Sequence, residues 1–223
     1  MEPQTWNPLD DITAEQRQRF NAFEEMLCRF NDRVNLISSD SERHFQTQHL
    51  LHCLTLTLHD FPDGCTIVDW GTGGGLPAIP MAICFPQVTV VGVDSVGKKC
   101  RAVRTMARRL GLDNCYAWAG RAEEWDGEAH YSVSRATAPL ATLWEWHQRV
   151  AIPLDQAPGD DEWPLGLLTL KGGDLREEIE ALQASAPEAE LGRQSLQLLL
   201  GRNGFFGEKE IVAVRRGKHS SHR

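Results

Sequence analysis

Apolar residues recur along the chain in two rhythms. From Thr13 onward, Phe20, Phe23, Met26, Leu27 and Phe30 fall three or four residues apart, the spacing of one helix face with Thr13 as its N-cap. A second such stretch runs over residues 41–59. After Pro62-Asp63-Gly64 the pattern changes to short apolar runs, at 65–69, 88–93, 115–118, 131–134 and 165–170, separated by helix-compatible segments at 78–85, 95–110 and 139–150. Short buried strands alternating with helices predict a mainly parallel sheet with right-handed crossovers. Residues 174–184 add a helix, and 195–200 with 210–214 predict a closing antiparallel hairpin. The expected fold is α/β and Rossmann-like, a mainly parallel seven-stranded sheet with N-terminal helices. Residues 1–60 form the helical extension, 61–216 the sheet domain and 217–223 a basic tail.

Composition leaves this picture intact. A chain of 223 residues with 41% hydrophobic content supports one domain and a small appendage. No apolar run approaches bilayer length, and residues 1–11 are acidic and polar rather than basic and then apolar, so a cytoplasmic protein without a membrane partner is expected. The six cysteines are scattered, never paired as C-x-x-C, and most sit in apolar patterns, so neither a metal site nor a disulfide framework is expected. His49 and His52, three residues apart, read as an interior hydrogen-bonded pair, since no third ligand has metal-like spacing.

Charge changes the picture more. The net charge of -8 argues against nucleic acid, but its signs are segregated. Residues 95–112 hold six bases (Lys98, Lys99, Arg101, Arg104, Arg108, Arg109) and no acid, so the rest of the chain carries -14 against the whole chain's -8. In this helix Cys100, Val103, Ala107 and Leu110 share one side and should pack on the sheet, leaving the cations outward. Lys98, Arg101 and Arg104 are the candidate phosphate contacts of an RNA. A solvated basic face balancing acids elsewhere is the plainer alternative.

The candidate chemistry begins at Asp69-Trp70-Gly71-Thr72-Gly73-Gly74-Gly75-Leu76-Pro77. A glycine-rich turn between a first strand and its helix lets a ligand approach bare backbone at the carboxyl end of the sheet. A dinucleotide fold wants G-x-G-x-x-G, but the third position here is Leu76 and the glycines fall as G-x-G-x-G. Asp94 closes the second strand 23 residues after Gly71, placed to accept both ribose hydroxyls of a nucleoside. Together they point to an adenosyl ligand without a pyrophosphate, held by Asp69, Gly71, Gly73, Gly75, Leu76 and Asp94. After the third strand, Gly120-Arg121-Ala122-Glu123-Glu124 offers amides and a carboxylate to an adenine edge, or is a helix start with acids in its first turn. Arg135, at the end of the fourth strand, is placed to hold a carboxylate or a target base.

Several short motifs in one order carry a resemblance over nearly the whole chain. They are Arg33-Val34-Asn35-Leu36-Ile37-Ser38, His49-Leu50-Leu51-His52, the stretch 69–80, Val93-Asp94-Ser95-Val96-Gly97-Lys98-Lys99, residues 120–124, Ser134-Arg135-Ala136 and Leu170-Lys171-Gly172. With these the sequence resembles the ribosomal RNA small subunit methyltransferase G family, also called the glucose-inhibited division protein B family. The resemblance implies an S-adenosyl-L-methionine-dependent enzyme that methylates N7 of one guanine in the decoding-region loop of 16S rRNA, acting on the RNA or the small ribosomal subunit. It also implies that Gly71, Leu76, Ala122, Glu123 and Arg135 line the cofactor site; no obligate protein partner is inferred. Trp70 replaces a small aliphatic residue of the family pattern, His52 stands where many members have Asp, and Gln48 stands where a base is usual.

The chemistry agrees with what the motifs omit. No cysteine follows the fourth or fifth strand, as cytosine C5 methylation would need, and no N/D-P-P-Y loop serves an exocyclic amine. Guanine N7 needs alignment rather than a base, with Arg135 or Lys171 reading the O6 acceptor. The competing functions are a small-molecule methyltransferase, a nicotinamide-dependent oxidoreductase and a non-catalytic RNA-binding module. The basic helix argues against the first, the missing third glycine against the second and the intact glycine loop against the third.

Overall fold

The computed structural model describes residues 5–37, 43–135, 137–201 and 204–217. Residues 1–4, Ser38, Ser41, Ala136 and residues 218–223 of the basic tail lie outside the described residues. Five strands, β1 (Thr66–Trp70), β2 (Thr89–Asp94), β3 (Cys115–Ala119), β4 (Tyr131–Arg135) and β5 (Leu167–Gly172), run parallel. β7 (Lys209–Arg216) inserts antiparallel between β5 and β6 (Ala189–Ser195), giving the order β3-β2-β1-β4-β5-β7-β6. The order reverses between β1 and β4, the place where an open α/β sheet forms its ligand crevice.

Helices cover both faces because alternate strand residues feed two cores. Ile67, Val90 and Val133 pack with α1 (Ala14–Val34), α3 (Ala78–Cys84) and α4 (Gly97–Arg109). Val68, Trp70 and Val93 pack with α5 (Leu140–Val150) and α6 (Arg176–Ser185). Among the described residues no helix is long and apolar enough to cross a membrane.

The first helix forms as its sequence dictates. Thr13 accepts from the Gln16 amide while the Gln16 side chain accepts from the Thr13 amide, a capping box, and Asn35 ends the helix in the left-handed conformation. Phe20, Phe23 and Leu27 are buried, and Met26 and Phe30 pack at the margin. The second N-terminal stretch differs from expectation. It is a π-helical turn (Phe45–Leu50), a short α2 (Leu51–Leu54) and a 3₁₀ turn (Thr55–Leu58). Phe45, Leu50, Leu51, Cys53, Leu54 and Leu56 are buried on all sides, so no polar face enforces one helical period. Thr55 and Thr57 hydroxyls also bond back to the His52 and Leu54 carbonyls, competing with the regular ladder.

The closing hairpin needs a second correction. Residues 196–200, expected as a strand, form α7 (Leu196–Leu200), capped by the Ser195 hydroxyl and ended by Gly201 at positive φ. The strand is the polar segment before it. β6 is an edge strand whose contact with the core is limited to Ala189 and Leu191, so its apolar alternation is too short to stand out, and the pairs Arg193–Glu210 and Arg215–Glu190 tie it to β7.

Phe20, Phe23, Leu27, Phe45, Leu50, Leu51, Leu54 and Leu56 sit in the same core as the sheet. Burying eight such side chains at about 2 kcal/mol each rivals the whole net stability of an ordinary domain. Deleting residues 1–58 should therefore unfold or aggregate the protein, as read by circular dichroism and gel filtration. A monodisperse truncate with a cooperative melt would show the extension to be dispensable.

Candidate active site

The glycine turn folds onto the end of β2 and commits five of its amides within the protein. Gly71 and Thr72 N–H donate to Val93 O (2.8 and 3.0 Å), Gly73 N–H to Asp94 Oδ2 (3.0 Å), and Gly75 and Leu76 N–H to Thr72 O (2.8 and 3.0 Å). Asp94 Oδ1 accepts from Val96 N–H at 2.8 Å, so this carboxylate pins the loop and the start of α4 together. Gly71, at φ +71, lies so close to Thr137 that a Cβ would sit 2.2 Å from it. Gly73, at φ +55, is open: a Cβ there would find nothing nearer than 3.9 Å.

Above the loop, at the carboxyl ends of β1, β2 and β4, is a cleft of about 540 Å³, within the range of small-molecule sites. Gly71, Gly73, Leu76 and Asp94 line one part of it, and Ala122, Glu123 and Arg135 another. Gly75 does not line it; its Cα faces Ile79 and Val103 in the core. Among the lining residues that the sequence did not mark as site candidates are Leu36, Lys99, Thr137 and Trp146. Leu36 belongs to a motif of the resemblance and Lys99 to the basic run, whereas Thr137 and Trp146 carry no pattern that separates them from ordinary loop and helix residues.

The donor set separates two cofactor classes. A pyrophosphate needs free loop amides, and here Gly71, Thr72, Gly73, Gly75 and Leu76 donate within the protein. What the cleft offers is a carboxylate at the β2 end (Asp94), an arginine (Arg135) and an uncrowded Gly73. These residues fit a nucleoside with a zwitterionic amino-acid tail, as in S-adenosylmethionine.

Asp69 does not line the cleft. It is fully buried beneath the loop, its Oδ2 accepting from Ala78 N–H at 3.2 Å at the start of α3, and its role is to position the turn. Burial pushes its carboxyl from 3.8 up to about 7, against the smaller opposing pull of the Ala78 amide and the Arg135 charge. The folded state thus holds this proton more tightly than the unfolded chain, so the stability it contributes is full below pH 4 and lost as pH rises towards 7. His49, His52 and His147 act in the opposite sense: burial lowers all three, so folding loses stability as pH falls below 6.5. Comparing the wild type with Asp69→Asn isolates the carboxyl. The stability difference should move by about 3 kcal/mol against the wild type between pH 5 and 8 in urea denaturation. Parallel profiles would mean that Asp69 holds no proton in this range.

Arg135, on the last residue of β4, reaches across to the N-terminal segment, where its Nη1 donates to His49 Nδ1 at 2.6 Å. Burial, Arg135 and Lys209 hold His49 down at about 4, so the ring is neutral and accepts this bond. His49 and His52 are therefore not bonded to each other as expected. His52 is buried edge-on against Phe205 and Phe206, and His49 edge-on against Phe205. The reason is the neighbouring arginine, a better donor than a second neutral imidazole. No group of three His, Cys, Asp or Glu side chains among the described residues has a metal-binding arrangement.

Lys171 also departs from expectation. It is buried and does not reach the cleft; its Nζ donates to Ala138 O (2.6 Å) and Glu178 Oε2 (2.7 Å), and Glu178 in turn accepts from the Leu140 amide. This clamp fixes the start of α5, because a buried ammonium must be paired. On α4, Cys100, Ala102, Val103, Met106 and Ala107 are buried, and Lys98, Arg101, Arg104, Arg108 and Arg109 are exposed. Arg104 Nε donates to Ala117 O of β3 at 2.8 Å. Lys99 lines the cleft, so helix and cleft are continuous.

The sequence pattern of the rRNA small subunit methyltransferase G family matches residues 16–201. The chain is 69% identical over 215 residues to the ribosomal RNA small subunit methyltransferase G of Salinibacter ruber, covering 96% of this chain and 100% of that protein. Identity to the protein of the same name from Pelodictyon phaeoclathratiforme is 38% over 217 residues, 96% of this chain and 89% of the relative. Among solved structures, magnesium protoporphyrin IX methyltransferase from Synechocystis, with bound SAM, superposes with a TM-score of 0.56 at 11% identity, covering 93% of this chain and 99% of that one, a likeness of fold alone. On the match along 16–201 and the relatives that span it end to end, the chain belongs to the ribosomal RNA small subunit methyltransferase G family.

Proposed function

We propose that the protein transfers a methyl group from S-adenosyl-L-methionine to N7 of a guanine in 16S rRNA, within the small ribosomal subunit or its RNA, in the cytoplasm. Family membership supports the reading, and one observation of the structure carries it: Lys99 belongs at once to the cofactor cleft and to a helix whose outer face is basic. A small-molecule enzyme has no use for that continuity.

When bound, S-adenosylmethionine supplies an electrophilic methyl on a sulfonium. Asp94 keeps the glycine turn closed and would accept the ribose hydroxyls, and Ala122 and Glu123 would border the base. Arg135, held by neutral His49, is the cleft residue that reads the guanine O6 acceptor, a task that Lys171 leaves to it because its ammonium is occupied. The guanine N7 lone pair would take that methyl, with the C–S bond electrons leaving on sulfur as the neutral thioether. No proton leaves the ring, so no general base is required, and the site's work is alignment and exclusion of water. A cysteine mechanism has no candidate: burial pushes Cys53, Cys65, Cys84 and Cys115 up to about 12, and no cysteine lines the cleft.

The test is to incubate the protein with methyl-labelled cofactor and small ribosomal subunits, digest the RNA and identify the labelled nucleoside. 7-Methylguanosine in 16S rRNA is expected. Label in another nucleoside, or transfer only to small molecules, would overturn the reading.

A further inference from the structure

Trp70 stands inside the glycine motif and is wholly buried under the cleft. Its ring meets Trp125 edge-on at 5.6 Å and Trp146 at 5.8 Å and 59°. Of these three, Trp146 lines the cleft. It sits on α5, and one turn further on that helix Arg149 donates to Trp125 O (2.7 Å) and Ala122 O (2.5 Å), binding α5 to the turn that carries Ala122 and Glu123. Ala122 and Trp146 pack into the same core. Trp146 therefore lines the cleft from the helix that is tied to the Ala122 turn, and the large Trp70 ring packs against it.

We propose that Trp146 is the aromatic wall against which the adenine of the cofactor packs, with Trp70 as its backing, so that this chain recognises the nucleobase by ring contact as well as by the polar turn. The proposal rests on the cofactor reading given above. A flat indole held from behind meets a purine face or edge at small entropic cost, and base–aromatic contacts of this kind are strong enough to dominate a nucleoside's affinity.

The experiment is titration of the full chain with S-adenosylhomocysteine, followed both by calorimetry and by tryptophan fluorescence. In the wild type the heat and a fluorescence change should saturate together; adenosine should reproduce the fluorescence change and methionine should not. Trp146→Phe should bind within about threefold of wild type, since a ring remains, yet lose most of the fluorescence change. Trp146→Ala should bind about tenfold more weakly, with circular dichroism confirming its fold. A Trp146→Phe variant with the wild-type fluorescence change overturns the proposal, whether or not the Ala variant folds. So does a folded Trp146→Ala variant that binds as tightly as wild type. Absence of any binding to the wild type would instead overturn the cofactor reading itself, so the two failures are distinct.

Discussion

Gly73→Asp should abolish binding of S-adenosylmethionine while leaving the protein folded. The backbone there is at φ +55, a left-handed conformation that Asp tolerates better than most residues, and a Cβ meets nothing within 3.9 Å. The cost to the fold is about 1 kcal/mol, which lowers the melting midpoint of a chain this size by about 2–4 °C. The new carboxylate would occupy the cleft beside Asp94, whose Oδ2 already accepts from the Gly73 amide. The new side chain takes the ligand's space, so a loss of about 100-fold or more, about 2.7 kcal/mol, is expected. Asp94→Ala should weaken binding by about 1–3 kcal/mol for the lost charged hydrogen bonds, and it also frees the Gly73 and Val96 amides from their acceptor. NAD should give no heat with the wild type, because the amides of Gly71, Thr72, Gly73, Gly75 and Leu76 donate within the protein and are not offered to a pyrophosphate. A Gly73→Asp protein with wild-type affinity, or wild-type binding of NAD as tight as that of S-adenosylmethionine, would sink this account of the cleft.

How much of this was legible in the sequence depended on whether a feature was local. The inner parallel strands β1, β2, β4 and β5 are mostly buried and read as continuous apolar runs, edge strand β3 still carries a short apolar run, and α4 was visible because its buried and exposed positions separate cleanly. β6 was not visible, because an edge strand that meets the core only at Ala189 and Leu191 carries too short an apolar signal, and the apolar run beside it belongs to a short helix. In the site, Gly71, Gly73, Leu76 and Asp94 follow from spacing within one strand–turn–helix–strand unit. Asp69 and Gly75 share that motif but point beneath it, a distinction that requires knowing which way the turn packs. Lys171 had the right chemistry and the wrong address: only the fold shows that Glu178, on the following helix, claims its ammonium. Trp146 and His49 reach the cleft and Arg135 from distant parts of the chain, and no spacing rule encodes such long-range contacts.

Replacing Lys98 and Arg101 together by Glu should leave cofactor affinity unchanged and cut methylation of small ribosomal subunits steeply, by about 100-fold near physiological salt. Both side chains are exposed on the first turns of α4, next to the cleft that Lys99 lines. Arg104 is a poorer choice for this test because its Nε holds Ala117 O of the edge strand, so its loss disturbs β3 as well. The competing explanation, a basic face that merely balances acids elsewhere in the chain, predicts ion pairs. Among the described residues the ion pairs join α1 to itself, β6 to β7, Lys171 to Glu178 and Arg176 to Asp174, and none involves α4. Six uncompensated cations on one helix raise the local positive potential in a chain of net charge -8, and an RNA backbone is the polyanion that such a stripe attracts. On the proposed function, phosphates held at Lys98 and Arg101 would leave an unstacked guanine free to enter towards Arg135. Alanine in place of each should flatten the log–log salt dependence of RNA binding by about 0.7–0.9 per lost phosphate contact, whereas a general loss of folding would not change that slope in steps. Should the double Glu variant methylate small subunits at the wild-type rate across a range of salt, α4 is only a solvated face and the RNA approaches the cleft from another side.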